Sequence, residues 1–347
     1  MRTLRRNLVL QWLVAIAWIA LQGVSVASAA DTGYGHAVEK TLQHWKASGH
    51  SRPIVDTHIH FYQVTRPGGV PWPPVGSALY RDVLPPEYKR LAIANGIVAS
   101  GVIEASPLVE DNQWILNLLG HDKFFPFFAG SLDISAPDFI GNLDRFSHDR
   151  RFVGIRGFLW SPEITLDATQ LSHLRELARR GMTLDIISRG TTNPKPKVEA
   201  LCTAVPTLRI IIDHLGGAQG AVPTPEWELS IRRLADLCPN LYMKFSSFYD
   251  MYQVGDGNSP WTAPTDLAAY KAHFDVLMTA FGEDRMIWGS NWPVSDLGGD
   301  FAVQIQLAEE YLAPLGQHVR DKVMFKNALL FYRRHVVNRD HDDDDDD

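Results

Sequence analysis

Residues 54–61 read IVDTHIHF, an apolar run that closes on two histidines spaced two positions apart. Residues i and i+2 of a strand project to the same face, so as a strand this stretch aligns Asp56, His58 and His60. Seven further runs of similar character come after it: ASGVIEAS from Ala99, FFPFFAGSLDI from Phe124, FVGIRGFLW from Phe152, MTLDIIS from Met182, LRIIIDHLGG from Leu208, LYMKFSSF from Leu241 and RMIWGSNWPV from Arg285. Amphipathic stretches separate them. DNQWILNLLGHD opens on Asp111 as an expected N-cap, and ATQLSHLRELARRG closes on Gly181 as a helix stop.

Eight strands alternating with helices imply parallel pairing, because parallel neighbours need a crossover connection. The economical architecture is α/β, a single (β/α)8 TIM-type barrel with a short N-terminal extension. A doubly wound open sheet would usually carry a Gly-rich phosphate turn after its first strand. Here DTHIHF runs instead into YQVTRPGGVPWPPVGSALYRDVLPPE, and neither GxGxxG nor GxxxxGK[ST] occurs. A long excursion of this kind suits a lid or binding loop, with Tyr62, Trp72, Tyr80 and Arg81 as its candidate surfaces.

Composition narrows the function. With 347 residues, 45% hydrophobic and 21% charged, the chain is neither collagenous, disordered nor a disulfide scaffold. A net charge of −7, a pI near 6.0 and no basic cluster beyond the first six residues exclude a nucleic-acid partner. Residues 1–29 have the form of an export signal: Arg2, Arg5 and Arg6, an apolar core from Leu8 to Leu21, then Ala27-Ser28-Ala29 as a cleavage site. That core is short for a membrane span. The expected organisation is a signal peptide over 1–29, an extension over 30–52, the barrel over 53–335 and a disordered acidic tail over 336–347.

Removal of the leader takes three arginines and no acid, so the mature charge becomes −7 − 3 = −10. The expectation is an exported, periplasmic or secreted protein, with no stable membrane association after cleavage, acting on a small molecule and compatible with a homodimer. Cys202 and Cys238, each late in an expected helix, read as small core residues in preference to a bonded pair.

Active-site groups of such barrels stand at the C-terminal ends of the strands. That rule selects His58 and His60 on strand 1, Glu104 on strand 2, Arg156 on strand 4, His214 on strand 6, Lys244 on strand 7 and Asn291 after strand 8. Two histidines on one face with a third from across the barrel make the nitrogen set of a catalytic zinc site with a position open for water. Arg156 and Lys244 suit a substrate carboxylate or a developing oxyanion. Asp213 should point away from His214 along the strand and orient a neighbour.

The motifs DTHIHF, RDVLPPEY, EDNQWIL, FVGIRGF, RIIIDHLGG, YMKFSSF and GSNWPV, in this order, resemble the amidohydrolase-related group that contains sugar-acid lactonases and 2-pyrone-4,6-dicarboxylate lactonase. The resemblance spans about Pro53 to Tyr332. It implies a hydrolase opening a cyclic ester, with His58, His60 and His214 lining the site. The position after strand 8, normally an aspartate in that group, falls on Asn291, which cannot take a proton at neutral pH.

Three repairs are open. One divalent metal, zinc foremost, is held by His58, His60, His214 and Glu104 and activates the water; or another carboxylate (Glu104, Asp56 or Asp296) takes the proton; or the chain is a non-catalytic binder of carbohydrate acids. A related barrel decarboxylase is the alternative within enzymes. The expected catalytic set is His58, His60, His214, Asn291 and Glu104, with Arg156, Lys244, Trp72 and Tyr80 binding substrate.

Overall fold

A computed structural model describes residues 40–41, 43–157, 166–187 and 195–333; the expected signal peptide and acidic tail lie outside them. Packing divides the chain after His44, and the barrel strands, the helices between them and the cavity belong to the unit from Trp45 onward.

Eight strands pair in chain order, all in parallel: β1 Ile54–Ile59, β2 Ile97–Ile103, β3 Phe127–Gly130, β4 Phe152–Gly157, β5 Thr183–Ile186, β6 Arg209–Ile212, β7 Leu241–Ser246 and β8 Met286–Gly289. Between them run α1 Pro85–Ala94, α2 Val109–Leu119, α3 Phe139–Ser147, α4 Ala168–Arg179, α5 Lys195–Ala204, α6 Pro225–Leu237 and α7 Lys271–Phe281, and α8 Phe301–Leu312 comes after β8. This is the (β/α)8 barrel.

Local chemistry starts several helices where they start. Asp167 and Gln170 form a reciprocal capping box on α4, and Thr224 accepts from the Trp227 amide at the head of α6, where Pro225 has no N–H to satisfy. Asp111 is not an N-cap: α2 begins two residues earlier, behind Leu108, and the Asp111 carboxylate pairs with Arg66 at 2.5 Å.

The ring closes where β1 meets the segment after β8. Asn291 N donates to His58 O at 2.8 Å, and His60 N donates to Trp292 O at 2.9 Å. Asp56 locks this seam from behind, accepting from the Ser290 and His58 amides and from the Tyr88 hydroxyl. Gly289 is needed for the approach, since a Cβ there would sit 2.9 Å from His58 Cβ.

At the opposite end the chain returns as a plug. After α9 (Gln317–Asp321) and a π-helical turn over Lys322–Lys326, α10 (Asn327–Phe331) brings Tyr332 flat against Phe127 at 4.4 Å. Arg209, at the start of β6, donates to the carbonyls of Leu330 and Phe331. The barrel floor is thereby sealed.

Cys202 in α5 and Cys238 at the C-cap of α6 form a disulfide, correcting the expectation of separate core thiols. The reason is packing of neighbouring helices: the two Cα atoms stand 5.6 Å apart. Cross-linking across a separation of 36 residues removes loop entropy from the unfolded chain. We expect Cys202→Ser/Cys238→Ser to lose about 3–4 kcal/mol of unfolding free energy in urea melts, and a loss under about 1 kcal/mol would refute that account.

Candidate active site at the strand C-termini

A cavity of about 210 Å³ opens at the C-terminal mouth of the barrel, lined by His60, Trp72, Glu104, Arg156, His214 and Asn291, with Ala105, Pro107, Ile187 and Val294 as its apolar wall. His58 lies among them, fully buried, its ring 4.9 Å from that of His60 and 4.6 Å from that of His214. Strand alternation and the closure seam together bring these groups to one place.

His60 is fixed by the hydrogen-bond network. Its Nδ1 lies 3.0 Å from the carbonyl oxygens of both Ile103 and Glu104, so that nitrogen carries the proton. Burial, reinforced by the nearby Arg156 charge, pushes the imidazole down to about 3 and keeps it neutral. Nε2 is then a lone pair.

Asn291 adopts a left-handed conformation (φ 63°), which asparagine tolerates better than most residues. Its Nδ2 donates to Ser247 Oγ at 2.8 Å, which leaves Oδ1 facing His60 Nε2 at 3.2 Å. Two acceptors so placed cannot bond each other. They call for a shared donor or cation, either a water or a metal ion.

His214 is not on a strand. β6 stops at Ile212, and the chain turns through a left-handed run, with φ of 56° at His214 and 53° at Leu215, before Gly216 and Gly217. Alternation therefore fails here, and Asp213 does not point away. Its Oδ1 lies 3.4 Å from His58 Nδ1, and ligand atoms of His58, Asp213 and His214 all fall within 4.8 Å of one another. Ser246 Oγ lies 3.1 Å from His214 Nδ1 and orients the ring.

The other expected groups divide. Glu104 lines the cavity but is engaged by Arg156, whose Nε donates to Oε1 at 2.6 Å and whose Nη2 donates to the Glu104 carbonyl. Burial raises the Glu104 carboxyl and the Arg156 charge pulls it back. Glu104 and His60 stand outside the His58–Asp213–His214 group, in which Asp213 joins two of the expected histidines.

Lys244 is fully buried and does not reach the cavity, because Asp185 and Tyr332 hold its Nζ inside the barrel at 2.6 Å each. Trp72 reaches the cavity, whereas Tyr80 lies 41% exposed, outside its lining. Asp56 belongs to the seam, and Asp296 is exposed on the turn beyond it. Sequence reading passed over Ser246, Ser247, Asp185 and Tyr332. The Ser-Ser pair ending β7 was the available signal for two of them.

These donors fit a divalent metal. Two imidazoles and a carboxylate converge under burial, the Asp213 oxygens accept no hydrogen bond among the described residues, and His60 Nε2 and Asn291 Oδ1 present two more lone pairs nearby.

Comparison with known proteins places this geometry. A family model described as amidohydrolase matches residues 55–334. An L-fucono-1,5-lactonase from Burkholderia ambifaria is 28% identical over 292 residues, covering 80% of this chain and 95% of that protein. The barrel superposes on an amidohydrolase from Burkholderia multivorans with bound zinc (TM-score 0.68, 24% identity, 80% and 98% covered). It also superposes on a Pseudomonas putida protein named for 2-pyrone-4,6-dicarboxylic acid hydrolysis (TM-score 0.61, 18% identity, 80% and 97% covered). At those identities the two structures attest the fold. With its family model matched from the first strand to the C-terminal plug, the chain belongs to the amidohydrolase family and is a hydrolase.

Proposed function

We propose that this protein opens a neutral six-membered sugar-acid lactone, of the L-fucono-1,5-lactone kind, in an oxidising compartment outside the cytoplasm. The observation that carries the substrate class is the Arg156–Glu104 pair: the one formal cation among the described lining residues is already matched by a carboxylate at 2.6 Å. A pyrone dicarboxylate would meet no unpaired side-chain cation among those lining residues. A neutral ring with hydroxyls finds what it needs in the Asn291 and His60 acceptors, the Trp72 face and a cavity of about 210 Å³. The Cys202–Cys238 disulfide supports the compartment, since structural disulfides persist where the surroundings are oxidising.

A divalent ion, zinc by its nitrogen-rich donor set, would be held by His58, Asp213 and His214, and would supply Lewis acidity to an ester carbonyl and acidify a neighbouring water. The chain's own groups do the rest. Asn291 Oδ1 and His60 Nε2 present acceptors to the cavity side, where a donor such as the attacking water can be oriented by them. Neither is a base at neutral pH, because one is an amide and the other is held at about 3. Two buried carboxylates stand near the reacting water as acceptors for the proton released on attack: Asp213, beside His58, and Glu104, on the cavity wall. Arg156, oriented by Glu104, faces the cavity as a donor for the developing oxyanion.

Three outcomes are expected. On a panel of lactones, neutral 1,5-sugar lactones should exceed 2-pyrone-4,6-dicarboxylate in kcat/KM by at least about tenfold, the cost of about 1.4 kcal/mol of unmatched charge; the reverse preference would sink the substrate class. Elemental analysis of protein truncated before Asp340 should find near-stoichiometric metal that the His58→Ala/His60→Ala double variant loses. Equal metal in both proteins would move the ion elsewhere. Asn291→Ala should lower kcat by about 10–100-fold, and wild-type kcat in that variant would show that Oδ1 does not hold the water.

A further inference from the structure

Below the cavity, the barrel interior contains charge that the ester chemistry leaves unused. Lys244 on β7 is fully buried, with Nζ 2.6 Å from Asp185 Oδ2, 2.6 Å from the Tyr332 hydroxyl and 3.3 Å from Asp213 Oδ1. The Tyr332 hydroxyl donates to the same Asp185 oxygen at 2.6 Å. Asp213 in turn stands 3.4 Å from His58 Nδ1. One continuous line of polar groups thus runs from the floor plug, through the barrel axis, to the histidine cluster.

Stability alone does not account for this arrangement. Desolvating two charges in a barrel interior roughly cancels their attraction, and apolar side chains of equal volume would pack there without that penalty. What the ions add is direction. The ammonium straddles two carboxylates: Asp185 is pinned by the Tyr332 phenol, and Asp213 touches His58. Burial, with the Asp185 charge beside it, raises the Tyr332 phenol far above its ordinary range, so it remains a hydrogen-bond donor. Tyr332 itself is held by its stack on Phe127. The stacked Tyr332 on the floor is therefore linked, through Lys244, to a carboxylate at the site.

We propose that Lys244, held by Asp185 and Tyr332, is a positioning residue that fixes the Asp213 carboxylate against the Nδ1 edge of His58 and so sets the orientation of that ring between His60 and His214. None of the three supporting groups lines the cavity, so their effect on catalysis passes through Asp213 and His58. The kinetic half of the test rests on the lactonase reading, and the spectroscopic half does not.

The test uses the full chain. Tyr332→Phe removes one hydroxyl and keeps the stacked ring, Asp185→Asn removes one charge, and Tyr311→Phe is the control, because it breaks a tyrosine bond to Asp275 that is remote from the site. For Tyr332→Phe we expect kcat to fall about tenfold with KM within about twofold, and for Asp185→Asn a larger fall in the same sense. Ring 15N resonances of His58, assigned by their loss in His58→Gln, should shift in Tyr332→Phe and stay in place in Tyr311→Phe. Unmoved His58 resonances in folded Tyr332→Phe overturn the proposal, whether or not kcat falls; so does a wild-type kcat in both site-side variants. If the wild-type protein opens no lactone, the functional reading fails by itself, and the His58 resonances still decide the positioning role.

Discussion

Closure of the barrel between β1 and β8 is the constraint on which the site depends. Two backbone bonds, Asn291 N to His58 O and His60 N to Trp292 O, tie the ends of the sheet together through the residues that face the cavity. Asp56 completes the seam by accepting two amides and a hydroxyl in a place where its carboxylate is fully buried, and burial pushes its proton affinity up against those donors. The same seam therefore carries structure on one side and chemistry on the other. Gly289 records how close the strands must come, and the left-handed Asn291 records how sharply the chain must turn beyond them.

With the ring closed, a parallel barrel has to fill its axis, and here it fills it with ions as well as apolar side chains. The cost of burying Lys244 and Asp185 is offset by a short charge-assisted contact and by the Tyr332 hydroxyl, with Asp213 completing the group at 3.3 Å from the ammonium. Higher up, Arg156 and Glu104 neutralise each other at the cavity wall. At the mouth the one lining side-chain cation among the described residues, Arg156, is thus matched by a carboxylate, as Lys244 is matched below it.

The legible parts of the sequence were those governed by period. Alternation within IVDTHIHF and its seven successors revealed the strand order, because a parallel ladder demands crossovers and buried β-branched runs. His58, His60, Glu104, Arg156 and Asn291 could be picked out because they stand at strand ends. What escaped reading depended on departures from period or on through-space pairing. The DHLGG turn leaves strand geometry after Ile212, so Asp213 comes into the site against the alternation rule. Lys244 occupies a barrel-lining position whose meaning changes once Asp185 and Tyr332, 59 and 88 residues away, are seen to hold it. The cysteines meet only because α5 and α6 are neighbours.

Asn291 is where these threads join. An aspartate at this position would bring a negative charge and a proton acceptor into contact with His60. The asparagine brings neither, and Ser247 turns its amide so that only the oxygen faces inward. His60 is likewise turned by two carbonyls so that only a lone pair faces inward. Two residues from opposite ends of the chain have thus been stripped of their donors on the cavity side, each by a separate partner. A pair of acceptors at 3.2 Å is repulsive unless something positive or hydrogen-bearing lies close to both. That repulsion, built in by Ser247, Ile103 and Glu104, selects a water or a cation and rejects a second acceptor. Where an aspartate would supply a base, Asn291 supplies none, and the buried carboxylates left near the histidines are Asp213, 3.4 Å from His58, and Glu104, on the cavity wall.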